Sequence, residues 1–528
     1  MLPMIDESKG TKEFAPFGNP DGSRADIGDL VQGFVAFGGS SEWGGLATQK
    51  DDFTARVIVG RKGSGKTVYL RRLQAHAIDQ PDVFADDIQQ ALPTTENIIK
   101  FCQLHEETVL TEKWMLLWHR AILRSITSHL LHNEKLNKNI NPKRLQTLLE
   151  FEPIIRKCAA PLSIYSQVSE IIQSFETRAN FNKFLEDPRW AELEYRIAEI
   201  AKDCPPICFY IDAVDEEFAH APMYWHRCQK GLFYQTMRLL RDTKIGGRIH
   251  IVICIRDIVL SSVYRSEHRT RYRREPHIRI LRWNKEAIKY FLQEKVNRLD
   301  GKFFIGSKHD KTVVSWLGIR KIHNNARDCD EPIEDYLVRH TRLLPRDIVI
   351  LGNSLCNTIE RAKNRNDLDS IEIHIRNAVS EEAKIFGEEQ LIICGHQIAS
   401  DQIPISAALH GYSGTYTGNK EYIRGIADEL KQIIKYIGKD HFTIEELKEA
   451  REFASKFFGK ESDPFSILWQ NGLMGYIKNN CPKNEEKIIF KSEESTEFAI
   501  SLEESTYVFH SCLIDCVGIE PIGLPVLY

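Results

Sequence analysis

Two hydrophobic rhythms alternate along the chain. Short, mainly apolar runs occupy Arg56–Val59, Ile207–Ile211 and Ile249–Ile255. They are rich in β-branched residues and end at a glycine or a charged residue, which predicts strands buried on both faces of a parallel sheet. Between and after them, apolar residues recur every three or four positions, the spacing of one helix face. Val68, Leu70 and Leu73 follow this rule, as do Trp114, Leu117 or Trp118, Ala121 or Ile122, Ile126 and Leu130. Similar segments continue to Lys202, so the roughly 125 residues before Ile207 predict a helical insert with core tryptophans. One βα step would need far fewer.

Downstream, a helix is expected from about Asn284, with Ile288, Phe291 and Leu292 on one face, and another from Pro345, a residue tolerated in a first turn. After a glycine- and serine-rich stretch, Ser406–Lys420, a helix carries Ile423, Ile426, Leu430, Ile433, Ile434 and Ile437. Thr443 and Glu446 have capping-box spacing at the next helix start. Asp463–Asn480 predicts a helix, a turn at Gly472 and a short strand. "IIF", "FAISL" and "YVFHSCLI" read as further strands.

Length and composition add limits. A chain of 528 residues exceeds one core and implies several units. No window approaches the ~18 uncharged apolar residues of a membrane span, and the N-terminus lacks an apolar signal region, so a cytoplasmic protein is expected. The 12 cysteines are scattered. Cys204 with Cys208 and Cys512 with Cys516 lack paired CxxC knuckles, which favours reduced structural thiols over zinc. Net charge is −4, so any nucleic-acid contact requires a local basic patch.

The chemistry concentrates at the strand–helix junction after Val59. Gly60, Arg61, Lys62, Gly63, Ser64, Gly65, Lys66 and Thr67 satisfy GxxxxGK[ST], followed by Val68. Glycines allow backbone N–H groups to converge on an anion at a helix N-terminus. Lys66 suits the β- and γ-phosphates of ATP, and the Thr67 hydroxyl suits Mg²⁺. The strand Ile207–Ile211 ends in Asp212, the candidate Mg²⁺ carboxylate, reached through water. Glu216 first, and Asp215 second, sit where a carboxylate can align or deprotonate water, although either could cap the next helix. The strand Ile249–Ile255 ends in Arg256, a candidate γ-phosphate sensor.

Arg265, Arg269, Arg271, Arg273, Arg274, Arg279 and Arg282 face only Glu267 and Glu275 in the same segment, a local charge of 7 − 2 = +5. A finger for a neighbouring copy, a DNA or RNA backbone patch and a solvated helix all fit this pattern. By contrast, Glu485, Glu486, Glu493, Glu494, Glu497, Glu503 and Glu504 oppose Lys487 and Lys491 near the C-terminus, 2 − 7 = −5. That favours a packing or partner role over DNA contact for the tail.

Apolar run, Asp, small, apolar, Asp, Glu at residues 207–216 resembles the acidic motif of STAND, NACHT and KAP-type ATPases. With "RD" at 256–257, "LRW" at 281–283 and "LPRDIVILGN" at 344–353, the chain resembles a prokaryotic family related to KAP and origin-recognition-type AAA proteins. The resemblance implies an α/β P-loop NTPase core at 51–80 and 203–282, after an N-terminal segment at 1–50. A helical insert at 81–202, a helical lid at 283–400 and a winged-helix-like domain at 415–528 complete the expected architecture. It also implies that Arg346 senses the γ-phosphate, unless it pairs locally with Asp347 or another acid. The implied activity is ATP hydrolysis driving a switch that acts on a partner effector or nucleic acid, in bacterial anti-phage defence, with a homo-oligomer expected. The alternative is a nucleotide-locked oligomeric scaffold with little turnover.

Overall fold

The computed structural model describes residues 15–22, 54–89, 100–152, 154–155, 160–212, 222–242, 244–245, 247–265, 269–324, 329–402, 416–458, 463–478, 487–491 and 497–522. The chain divides into two compact units. One comprises Ile27–Arg61 and Lys66–Leu281; the other comprises Met1–Asp26, Lys62–Gly65 and Arg282–Tyr528.

The first of these is an α/β unit. Its strands are β1 (Val57–Val59), β2 (Phe84–Gln89), β3 (Ile207–Ile211), β4 (Ile249–Ile255) and β5 (Ile278–Ile280). They form one parallel sheet in the order β2-β3-β4-β1-β5. Ile253 of β4 pairs with Val57 on one side and Ile211 on the other, so β1, β3 and β4 all release the chain at the same edge. The principal helices are α1 (Lys66–Ile78), α2 (Glu107–His132), α3 (Ile164–Gln173), α4 (Arg189–Ala201), α5 (Pro222–Arg241) and α6 (Asp257–Arg265).

Side chains alternate across a strand, so the two faces are distinct. Val57, Val59, Phe209, Ile211, Ile253 and Ile255 join a continuous core with the helices of the insert. Trp114 and Trp118 of α2 are fully buried there, and Trp118 Nε1 donates to the Cys228 carbonyl at 3.1 Å. Gly231 of α5 permits this close helix crossing, because a Cβ there would lie 2.6 Å from Trp114 Cβ. Ile58, Tyr210, Val252 and Cys254 point the other way, toward the side of α1 with its buried Tyr69, Leu70 and Leu73.

Phe84–Gln89 corrects the expectation of an entirely helical region at 81–202. It is an edge strand, paired with β3. Its sequence, FADDIQ, hides the strand because Asp86 and Asp87 break the apolar pattern, and only an edge position with polar partners tolerates them.

In the other unit, α7 (Lys285–Asn297), α8 (Ile333–Arg339) and α9 (Pro345–Asn364) surround a core with Trp316, Leu337, Leu355 and Ile359. A hairpin of β6 (Lys321–Asn324) and β7 (Cys329–Pro332) borders it. The helix α10 (Ile371–Gln402) contributes Ile375 and Val379 to this core and Leu391, Cys394 and Ile398 to the next. That second core holds α11 (Tyr416–Ile437), α12 (Ile444–Phe458), α13 (Pro464–Gln470) and an antiparallel sheet. Its strands are β8 (His441–Thr443), β9 (Met474–Lys478), β10 (Lys487–Phe490) and β11 (Thr506–Phe509), ordered β10-β9-β11-β8. The capping box before α12 forms reciprocally: Thr443 N donates to Glu446 Oε2 at 2.8 Å and Glu446 N to Thr443 Oγ1 at 3.3 Å.

Phe498–Leu502 is not the strand its composition suggests. Its backbone groups bond side chains instead of a ladder: Gln470 Nε2 donates to Phe498 O, Ile500 N donates to Ser466 Oγ, and Tyr507 Oη donates to Ser501 O. His510 is a buried residue of this core, with Nδ1 accepting from Cys512 N at 3.2 Å. The described cysteines form no disulfide, and no described helix is long and apolar enough to cross a membrane.

Near the chain start, Phe17 is 2% exposed, beside Trp316 at a ring separation of 5.1 Å. Asn353 of α9 clasps this turn, accepting from Phe17 N at 2.8 Å and donating to Gly18 O at 3.0 Å. The ring lies on Gly352, where a Cβ would approach Phe17 Cδ1 to 2.3 Å. Gly352→Ala should therefore destabilise the wild-type chain, and Phe17→Ala should cost about 3–5 kcal/mol. In the Phe17→Ala background the sign should reverse, with Gly352→Ala gaining about 0.5–1 kcal/mol from helix propensity. Urea unfolding of the four chains checks this; additive losses would refute the close packing.

Candidate functional site

The loop after β1 has the backbone its glycines predict. Gly63 and Gly65 adopt φ of +89° and +92°, a region that L side chains rarely occupy. A Cβ at Gly65 would meet nothing within 4 Å, so the loop leaves open space on that side. Gly60 N donates to Ile255 O at 3.3 Å, fixing the loop's entry to β4. α1 then starts at Lys66 with no acidic residue in its first turn, which also contains Thr67 and Val68. Its N-terminal N–H groups and partial positive charge suit an anion. Lys66 Nζ donates to the carbonyls of Gly60 and Arg61, each at 3.1 Å, so the ammonium folds over its own loop.

Lys62–Gly65 groups with the unit that contains Arg282–Tyr528. Within it, Trp283 Nε1 donates to Ser64 O at 3.0 Å, and Arg346 N donates to Gly63 O at 3.3 Å. A Cβ at Gly63 would stand 3.2 Å from Arg346 Cβ, a second reason for glycine there. Ser64 is buried and Lys62 exposed. Ser64 Oγ and Arg346 Nε are both buried, with no hydrogen-bond partner among the described residues. Asp347, the acid next in sequence, is held instead by Arg342, whose Nε donates at 2.8 Å and Nη2 at 2.5 Å.

Asp212 leaves β3 at the sheet edge from which the glycine loop also departs, and it is 2% exposed. Its Oδ2 is buried and finds no hydrogen-bond partner among the described residues. An ionised carboxylate in that position calls for a cation. With the Thr67 hydroxyl it offers hard oxygen donors, a set that fits Mg²⁺. Arg256 follows β4 at the same edge; its N–H donates to Gln229 Oε1 at 3.1 Å. Asp257 lies 3.7 Å from Arg61 Nε. Asp215 and Glu216 lie outside the described residues.

The basic segment separates by strand direction. Arg271, Arg273 and Arg274 are exposed and precede β5, so they occupy the edge opposite Lys66 and Asp212. Arg265 and Arg282 are also exposed, and Arg279 donates to Pro276 O at 3.2 Å. The side chain of Arg269 lies outside the description.

Several neighbours of Asp212 escape sequence reasoning. Tyr165 Oη donates to the Asp212 carbonyl at 2.8 Å across 47 residues of chain. Gln89 O accepts from Asp212 N at 3.0 Å. Asp86 Oδ2 accepts from Gln89 Nε2 at 3.0 Å and lies 3.7 Å from His129 Nε2. Burial raises the Asp86 carboxyl and lowers the His129 imidazole, each opposed by the other's charge. No local motif marks these residues, because their pairing exists only once β2 and α3 are packed.

No protein-family model matches the chain, and no curated protein is found to resemble it.

The buried Asp212 carboxylate, whose Oδ2 finds no partner among the described residues, generates a stability prediction. Without nucleotide and Mg²⁺, Asp212→Asn should stabilise the chain by about 1–2 kcal/mol, since a neutral amide is less costly to bury than an unpartnered charge. Thermal unfolding reads this directly; a lower midpoint for the variant would show that the carboxylate is already compensated.

Proposed function

We propose that the protein is a P-loop ATPase that works as a Mg²⁺-dependent molecular switch. The observation that carries this reading is the glycine loop with two left-handed glycines. It leads into an acid-free helix start at the sheet edge that also bears the buried Asp212 carboxylate. Lys66, now on its own loop carbonyls, can exchange them for phosphate oxygens. Backbone N–H groups of the loop and of the α1 start receive the anion, and Thr67 and Asp212 hold Mg²⁺. The bound metal supplies charge neutralisation at the β- and γ-phosphates. Glu216, with Asp215 as second choice, aligns the attacking water, and Arg256 and Arg346 respond to the γ-phosphate.

The response has a mechanical route within the unit containing Arg346. That residue lies in the first turn of α9, and α9 packs on α10, a 32-residue helix that reaches the C-terminal core. We read that core as winged-helix-like, supported by the order α11, β8, α12, α13, β9, β10, β11 and by the pairing of β8 with β11 and β11 with β9. A partner effector, a second copy or nucleic acid is the element switched. The motif resemblance alone supports a setting in bacterial anti-phage defence.

Steady-state phosphate release with and without duplex DNA tests the reading. Lys66→Ala should abolish turnover, and Glu216→Gln should slow it about 100-fold or more while ATP still binds. Acceleration by DNA would assign the exposed arginines to a phosphate backbone. Tight ATP binding without turnover, together with a nucleotide-dependent mass change on size exclusion, would instead establish an oligomeric scaffold.

A further inference from the structure

This inference rests on the reading of Asp212 as the metal carboxylate. Asp212 terminates β3, yet both of its backbone polar groups are held by residues outside that strand. Its N–H donates to Gln89 O at 3.0 Å, and its carbonyl accepts from Tyr165 Oη at 2.8 Å. Gln89 also fixes Tyr165, accepting from Tyr165 N with its Oε1 at 3.3 Å. That N–H belongs to the first turn of α3, where no intrahelical acceptor exists. Gln89 and Tyr165 are therefore one clamp: the glutamine positions the helix start, and the helix start positions the phenol.

The clamp is fastened to the helical layer. Ser125 of α2 donates its hydroxyl to Leu162 O at 2.8 Å, and Leu162 N donates to Ser128 Oγ at 3.1 Å. The Tyr165 ring sits 5.9 Å from that of Trp118 on α2, and Tyr165 is 3% exposed. A shift of α2 relative to the sheet thus reaches the Asp212 carbonyl through one side chain. Among the described residues Asp212 Oδ2 finds no hydrogen-bond partner, so the two backbone anchors bear directly on where this carboxylate stands. Mg²⁺ tolerates little departure from its ideal coordination, so small backbone displacements matter to it.

We infer that Tyr165 is a positioning residue through which the helical insert sets the metal affinity of Asp212. The insert is then an input to the switch, and whatever binds it tunes the Mg²⁺ requirement.

The test uses the full chain with Tyr165→Phe, Gln89→Met and, as a control, Ser174→Ala. Ser174 Oγ donates to Glu170 O at 2.7 Å at the far end of α3 from Tyr165. Two readouts are taken: hydrogen exchange of the peptide spanning 207–212, and the Mg²⁺ concentration for half-maximal nucleotide binding, alongside ATP affinity in EDTA. Tyr165→Phe and Gln89→Met should speed exchange at 207–212 by about threefold or more and raise the Mg²⁺ requirement about tenfold, leaving the EDTA affinity unchanged. Ser174→Ala should leave both readouts at wild-type values. Unchanged exchange and an unchanged Mg²⁺ requirement in Tyr165→Phe would overturn the inference, as would equal effects from Ser174→Ala. If exchange rises but wild type shows no Mg²⁺-dependent nucleotide binding, the clamp stands and the ATPase reading falls.

Discussion

The pairing of β4 with both β1 and β3 is the constraint on which the candidate site depends. Ile253 faces Val57 and Ile211 at one level of the sheet, so the chain departs toward the glycine loop and toward Asp212 from the same edge. A slip of one residue in either ladder would exchange the two faces of the slipped strand. Val57 and Val59, or Phe209 and Ile211, would then leave the core they share with α2. Burial of these apolar residues is therefore also what keeps Lys66 and Asp212 on a common edge. Packing sets the register, and register sets the chemistry.

On that frame the loop itself carries local strain that only glycine relieves. Gly63 and Gly65 both take left-handed backbone, but their surroundings differ: Gly63 lies against Arg346 and Leu344, whereas Gly65 faces open space. One glycine is needed for conformation and close approach, the other for conformation and room. The carbonyl of Gly63 accepts from Arg346 N, so the first turn of α9 is tied to the loop through backbone rather than through a mobile side chain. From there α10 runs for 32 residues without a break and enters two cores. At ~1.5 Å per residue such a helix spans ~48 Å, long enough to carry a small rotation at one end into a displacement at the other.

Much of this was legible in the chain, for reasons that differ by element. The strands at Ile207–Ile211 and Ile249–Ile255 announce themselves because a strand buried on both faces reads as a near-continuous apolar run, interrupted here only by His250. The starts of α1, α7, α9 and α12 are written in Lys66, Asn284, Pro345 and the Thr443–Glu446 pair, since helix ends are solved locally. β2 was not legible, because Asp86 and Asp87 are tolerated only at a sheet edge with His129 and Gln89 nearby. Phe498–Leu502 misled for the converse reason: its residues favour strands, but its backbone bonds are taken by Ser466, Gln470 and Tyr507. At the site, Asp212, Arg256 and the glycine loop follow from strand ends. The clamp of Gln89 and Tyr165 does not, because its meaning arises from packing between distant segments.

The placement of the basic segment limits how any polyanion could influence the site. Arg271, Arg273 and Arg274 stand before β5, and Lys66 lies after β1, so the length of the parallel pair separates them. Three residues of strand amount to ~10 Å, and the flanking turns add to it, whereas charges at a surface are screened over ~8 Å at physiological salt. Direct electrostatic action on a phosphate at Lys66 is thus weak. A polyanion bound at those arginines would instead act through β5, whose residues Ile278–Ile280 pair in register with Val57–Val59. Because β1 leads straight into Gly60, a shift of that ladder reaches the loop without any intervening side chain. Tyr165 approaches the site from the other side of the sheet order, through β3. The sheet therefore receives the two routes at separate strands, and β4 lies between them.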